Sequence, residues 1–278
     1  MKKVLILGSR GMLGTDLCKA FSSTDLIALD REDLDVTDNN EVLEKINSVK
    51  PELIINATGY TNVDGAETDK AAAFLLNGEA VKNLVEAAES IGAKIIHFST
   101  EYVFDGANQV GYSEKAQINP INIYGESKAV GEKYVLEYVR GFLIRTSWLY
   151  GRSPQRGKPR GMNFVDTMIK LAQEKSELKV VSDQFGKPTF TVDLARAVFN
   201  LIDEDYEPGI YHLVNEGVCS WFDFAKKILE IKKSSTPIHP ISSAEYPTSA
   251  HRPKYSVLIN TKYPLLRPWS EALQEYLS

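Results

Sequence analysis

The chain has 278 residues, with 32 Lys and Arg against 37 Asp and Glu, and its formal net charge of -5 gives no global attraction for nucleic acid. Hydrophobic residues make up 43% of it, enough to bury a large α/β core, and no stretch approaches the roughly 20 apolar residues of a membrane-spanning helix. Cys18 and Cys219 are too few for a disulfide framework or a cysteine-rich metal site; they read as small apolar fillers in a reducing, cytoplasmic setting. The start is basic and then apolar, as a secretion signal is, but glycines interrupt the run almost at once, so it is read as a first strand, Val4–Leu7.

From there strands and helices alternate. The pattern predicts a helix over Met12–Ser22, a strand over Leu26–Asp30, a helix over Asn39–Val49 capped by Thr37 or Asp38, and a strand over Leu53–Asn56. Next come one helix over Asp69–Ile91 stopped by Gly92, a strand over Lys94–Phe98, a helix over Asn122–Val139 and a strand over Phe142–Arg145. A helix over Asn163–Lys175, a strand over Leu178–Val181, a helix over Thr191–Ile202 and a strand over Ile210–Val214 complete the series. Beyond Val218 the pattern loosens into one helix near Trp221–Glu230 and a Pro- and Tyr-rich tail. Alternation of this kind is the signature of βαβ units, hence an α/β fold with a Rossmann-type, doubly wound parallel sheet.

The first strand ends in Gly8-Ser9-Arg10-Gly11-Met12-Leu13-Gly14, a GxxGxxG pattern between strand and helix. Gly8 permits a tight turn, Gly11 lets the backbone approach a pyrophosphate, Gly14 lets the helix pack closely, and the helix N-terminus faces the negative charge. Asp30, sixteen positions past Gly14, stands where an acid grips the adenosine ribose and favours NADH. Arg31 and Arg10 could instead neutralise the 2′-phosphate of NADPH, so either cofactor is open. Tyr124-Gly125-Glu126-Ser127-Lys128 is a YxxxK pair, and four residues bring both side chains onto one helical face. It follows a strand ending in Ser99-Thr100 at the carboxyl edge of the sheet. A lysine cation and an oxidised nicotinamide would lower the pKa of the phenol, and Thr100 would hydrogen-bond the substrate oxygen while Tyr124 gives the proton that accompanies hydride transfer. The four histidines are scattered, so no metal site is assigned, and no GxSxG elbow is present.

In this order the motifs resemble those of extended short-chain dehydrogenases/reductases. More narrowly, Ile55–Asp64, Ser99–Gly106, Ile144–Gly151, Asp183–Thr189, Gly209–Leu213 and Ala250–Pro253 resemble the dTDP-4-dehydrorhamnose reductases, and they run in family order along the whole chain. The resemblance implies NAD(P)H-dependent reduction of the C4 keto group of dTDP-4-dehydro-L-rhamnose to dTDP-L-rhamnose, in cell-surface polysaccharide synthesis, by Thr100, Tyr124 and Lys128. It implies that Gly11, Met12 and Leu13, with Gly8, Arg10 and Gly14, hold the pyrophosphate side, Asp30 and Arg31 the ribose, and Asp35 and Val36 the adenine edge. Ala57, Gly59, Tyr60, Thr61 and Phe98 would line the nicotinamide side. Val63, Glu101, Trp148, Asn163 and Arg252 would contact the sugar nucleotide, with Asn163 and Arg252 acting through the sugar and the diphosphate. It also implies a cofactor-binding domain of residues 1–146, continued by about 191–215, and a substrate-binding lobe of about 147–190 and 216–278. Related reductases place magnesium between subunits, for which no ligands are assigned here; monomer and homodimer both stay open.

Three features depart from the family pattern. Glu101 stands where Asp is usual, Thr58-Gly59 stands where two alanines are usual, and Arg152–Gly161 is longer and more basic than the expected turn. That insertion, with Arg152, Arg156, Lys158 and Arg160, reads either as a solvated loop or as a mobile lid whose cations attract the substrate diphosphate, and the lid is the expectation to be tested. A 4,6-dehydratase would show an acidic pair after the threonine, and an epimerase-reductase a cysteine or histidine acid-base pair near the sugar; simple reduction fits better. A reductase of another nucleotide-linked 4-keto sugar, or a non-catalytic NADP-binding subunit of the methionine adenosyltransferase type, are the alternatives.

Overall fold

The computed structural model describes residues 2–157 and 161–278. Strands β1 (Lys3–Leu7), β2 (Asp25–Leu29), β3 (Leu53–Asn56), β4 (Lys94–Thr100) and β5 (Gly141–Thr146) belong to one sheet. After them come the short strands β6 (Leu149–Tyr150), β7 (Leu178–Val181), β8 (Phe185–Gly186) and β9 (Thr189–Phe190), then β10 (Gly209–His212), β11 (Cys219–Ser220) and β12 (Ile238–Ile241). The six-stranded sheet has the order β10-β5-β4-β3-β1-β2 and is parallel throughout.

In β1, Val4 and Ile6 enter one buried cluster while Leu5 and Leu7 enter another, the period of two that appears when both faces of a strand are covered. Helices α1 (Met12–Ala20) and α8 (Thr191–Asp203) cover the first face through Leu13, Leu17, Leu194, Val198 and Leu201. On the second lie α2 (Asn39–Val49) and α5 (Ala80–Ile91), through Val42, Ile46, Val81 and Leu84. Asp38 is the N-cap of α2, accepting from the Asn40 and Glu41 amides, and Gly92, at φ +69°, ends α5. The fold is therefore α/β, with a doubly wound parallel sheet.

Two expectations are corrected. The single helix over Asp69–Ile91 is divided into α4 (Lys70–Phe74), a π turn over Leu75–Glu79, and α5, with the short α3 (Val63–Ala66) ahead of it. The π turn accommodates an extra residue in the spiral and turns Asn77 fully inward. The Leu178–Val181 strand forms as β7 and pairs in parallel with β12, outside the main sheet. Its Leu178 and Val180 belong to a third core, with Val165 and Met168 of α7 (Phe164–Glu174) and Phe224 and Ile228 of α9 (Trp221–Ile231). The tail closes with a helix the sequence reading did not expect, α10 (Trp269–Leu277), which buries Ala272 and Leu273 in that third core. Among the described residues no helix is long and apolar enough to cross a membrane.

Candidate active site

The chain leaves β1 for β2 on one side and later enters β3 on the other, so a crevice opens beyond the carboxyl ends of β1 and β3, where such sheets take ligands. The glycine loop forms its floor. Gly8 has φ +75°, and a Cβ there would sit 2.9 Å from the Ala57 carbonyl oxygen. A Cβ on Gly14 would overlap the Gly8 carbonyl, so only glycine lets α1 sit against the loop. Gly11 is the N-cap of α1; no side chain caps this end, and no acid occupies the first turn. Met12 and Leu13 are buried, which leaves their backbone N–H groups as what they offer an anion. These features fit a dinucleotide pyrophosphate.

Asp30 follows β2 and is buried. Its carboxylate accepts from the backbone N–H of Arg10 and of Arg31, both at 2.9 Å, tying the glycine loop to the end of β2. Arg31 is exposed beside Glu32, and Arg10 lies 3.5 Å from Glu32 and 3.8 Å from Asp33. Asp35 is exposed and accepts from Thr37, while the carbonyl of buried Val36 accepts from Asn83.

The loop after β3 carries Ala57, Gly59, Tyr60 and Thr61. Asn77 clamps it, accepting from Tyr60 N at 2.9 Å and donating to Tyr60 O at 3.1 Å and to Ser127 Oγ at 3.0 Å. One buried amide thus joins this loop to α6 (Ile123–Glu137), which carries the YxxxK pair. A Cβ on Gly59 would lie 3.4 Å from Lys128 Nζ, which places the loop directly against that lysine.

Tyr124 and Lys128 share a buried face of α6, and Thr100 is buried at the end of β4. Lys128 Nζ donates to the Phe98 carbonyl at 2.7 Å. Burial lowers its pKa to about 8, with the nearby Glu132 charge acting in the opposite direction. Burial pushes the Tyr124 phenol above its ordinary value; the charges of Glu101 and Tyr102 add to this, and a hydrogen bond with Thr100 works against it. Burial therefore favours the protonated phenol. Glu101 accepts from Thr100 Oγ1 at 2.8 Å, and burial raises its pKa to about 7, against the Thr100 hydrogen bond and the Arg252 charge.

Beside this set, Val63, Tyr102 and Tyr60 pack around Tyr124. Arg252 donates to Asp64 at 2.7 Å, lies 5.7 Å from the Tyr102 ring centre, and has a buried Nη1 with no partner among the described residues. Trp148 adopts φ +48°, rare for a bulky residue and costing about 1–3 kcal/mol, and stacks on Trp221 at 3.5 Å. Asn163 stands at the start of α7. It is 2% exposed and caps α7 by accepting from Asp166 N, while its amide donates to the Gly151 carbonyl and to Tyr276 Oη. Both ends of its amide are thereby engaged in holding α7 in place.

The two described cations of the basic insertion make separate contacts. Arg152 donates to the Glu275 carbonyl and lies over Phe190, whereas Arg156 reaches Asp30. Lys158 and Arg160 lie outside the described residues. Sequence reading also missed Asn77, Trp221 and the buried Glu132–Arg145 ion pair, in which Glu132 additionally accepts from Ser99 at 2.5 Å. Among the described residues no three His, Cys, Asp or Glu gather as metal ligands.

Comparison with known proteins agrees with this geometry. The family model for the RmlD substrate binding domain matches residues 1–278. A spore coat polysaccharide biosynthesis protein of Bacillus subtilis is 40% identical over 100% of this chain and 97% of that protein. A dTDP-4-dehydrorhamnose reductase of Aggregatibacter actinomycetemcomitans is 38% identical over 94% of this chain and 92% of that one. The crystal structure of dTDP-4-dehydrorhamnose reductase from Bacillus anthracis in complex with NADP superposes with a TM-score of 0.93 at 38% identity, covering 99% of each chain. With the glycine loop, the YxxxK pair and the doubly wound sheet in place, the chain belongs to the RmlD substrate-binding-domain family.

Proposed function

We propose that this protein is a cytoplasmic NADPH- or NADH-dependent reductase that converts dTDP-4-dehydro-L-rhamnose to dTDP-L-rhamnose. The observation that carries this reading is the meeting of Thr100, Tyr124 and Lys128 where β4 and α6 close on the loop after β3. Relatives named for that reaction, and the NADP held by a 38% identical structure, support it over the non-catalytic alternative. The two free cysteines accord with a reducing compartment.

The reduction needs a hydride at C4 and a proton on the C4 oxygen. The bound nicotinamide would supply the hydride. Tyr124, kept neutral by burial and by the Glu101 charge, supplies the proton, and the Thr100 hydroxyl hydrogen-bonds the same oxygen. Lys128, held between the Phe98 carbonyl and Gly59, places a positive charge beside the reacting centre and steadies the phenolate left after transfer. On the sugar side, Glu101 accepts from a sugar hydroxyl, Trp148 and Trp221 offer a flat apolar face, and the unpartnered Arg252 Nη1 is a donor for a diphosphate oxygen. Asp30 and the α1 N-terminus hold the cofactor.

The test is NADPH and NADH oxidation with dTDP-, UDP- and GDP-linked 4-keto-6-deoxy sugars. The expected result is turnover with the dTDP sugar. Cofactor binding without turnover on any of them would favour the regulatory-subunit reading.

A further inference from the structure

We propose that the segment Gly151–Gly157 roofs the dinucleotide rather than the nucleotide sugar, and that Arg156 within it reads the 2′-phosphate of NADPH. The inference rests on the cofactor reading given above. Three contacts carry it. Where the segment begins, a Cβ on Gly151 would lie 3.0 Å from Met12 Cγ, so the chain passes beside the first turn of α1. In its middle, Arg156 Nη1 lies 3.3 Å from Asp30 Oδ1 and 3.9 Å from Glu32 Oε1. At Gly157 it packs so closely on Thr61 that a Cβ would overlap the Thr61 hydroxyl. The glycine loop, the end of β2 and the loop after β3 are the three walls along which a dinucleotide would lie, and one short segment touches all of them.

The chemistry at the middle contact is specific. A bare carboxylate at Asp30 would repel a 2′-phosphate, and its two oxygens are already committed to the Arg10 and Arg31 amides. Arg156 cancels that charge and brings a planar fork of N–H donors, the geometry that matches phosphate oxygens. Arg10 approaches the same acidic corner through Glu32 and Asp33. The site thus joins a guanidinium from the glycine loop with one that reaches Asp30 from 126 residues further along the chain. Asp30 holds Arg156 at 3.3 Å, and a 2′-phosphate would share that guanidinium.

The experiment measures dissociation constants by calorimetry for NADPH, NADH, 2′,5′-ADP and 5′-AMP on the full chain and on three variants. Arg156 is half-exposed, so its replacement leaves the core untouched. Arg156→Gln is expected to weaken NADPH and 2′,5′-ADP by about tenfold or more, the scale of one charge-assisted hydrogen bond, and NADH and 5′-AMP by less than about twofold. Arg156→Lys should recover part of the loss, since it keeps the charge without the fork. Arg152→Gln should leave the NADPH-to-NADH ratio unchanged, because Arg152 is directed to the Glu275 carbonyl. No loss in Arg156→Gln, or equal loss for phosphorylated and unphosphorylated ligands, overturns the inference. Failure of the unaltered protein to bind any of the four ligands would overturn the cofactor reading beneath it.

Discussion

The wall proposed for the dinucleotide and the wall proposed for the sugar are built by different means. The first is backbone brought close by glycine: Gly8, Gly11 and Gly14 lie within seven residues, and their lack of side chains shapes the loop. The second is side chain brought together from afar, as in the Arg252–Asp64 pair, 188 residues apart, and the Trp148–Trp221 stack. Backbone walls suit a ligand whose charged part is the same in every reaction of this kind. Side-chain walls can be altered one residue at a time, which suits the part of the ligand that differs.

If the two walls are separable, single changes should affect one ligand and spare the other. The largest effect is expected where the walls meet. Tyr124→Phe should lower kcat by roughly 100-fold or more, the scale of a lost proton donor, with the NADPH dissociation constant unchanged. Near-normal turnover, with chemistry shown to limit the rate, would remove Tyr124 from the mechanism. Next is Asn77→Ala, which strips the buried clamp from the Tyr60 loop. A stability loss of about 1–3 kcal/mol and weaker cofactor binding are expected, read by denaturant melts and cofactor titration. Arg252→Gln should raise KM for the nucleotide sugar by about tenfold while sparing NADPH. An equal shift in both would show that the walls are coupled.

The smallest effect concerns pH. Burial raises Glu101 from 4.5 to about 7, so the folded protein keeps a proton that the unfolded chain has released. The stability this brings is fully present below pH 4.5 and is lost as pH rises through about 7. Gln at this position does not titrate. Relative to the parent, the melting temperature of Glu101→Gln should therefore climb by a few degrees across that window and then level off. A constant difference at every pH would mean that Glu101 ionises normally.

The same contrast explains how much could be read from sequence. The alternation in Val4–Leu7, the glycine loop and the four-residue spacing of Tyr124 and Lys128 are local, and local patterns predicted the doubly wound sheet and the shared buried face of Tyr124 and Lys128 on α6. Asn77 sits in an ordinary helical run, and nothing nearby announces that it will meet Tyr60 and Ser127. Leu178–Val181 reads as a strand, but its partner Ile238–Ile241 contains His239 and Pro240 and carries little strand signal. Asn163 was recognisable as polar before a helix, which is the cap signal that the structure shows at the start of α7. The basic run Arg152–Arg160 was visible as charge, while its neighbours were not. Asp30 lies 126 positions before Arg156. The helix Trp269–Leu277 was legible in principle, since Trp269, Ala272, Leu273 and Leu277 recur at helical spacing behind Pro268.

The π turn at Leu75–Glu79 bears on how the chain tolerates changes of length. An extra residue accommodated in a helix can be lost without breaking the spiral, because its removal restores ordinary α geometry. The cost falls on direction, since each residue turns a helix by about 100°. Deleting one residue here would leave α5 continuous with α4 but would rotate Asn77 away from the Tyr60 loop, or turn α4 out of register with the core behind it. This part of the chain is therefore more permissive of substitution than of deletion, and a shortened variant could retain its helical content while losing the clamp.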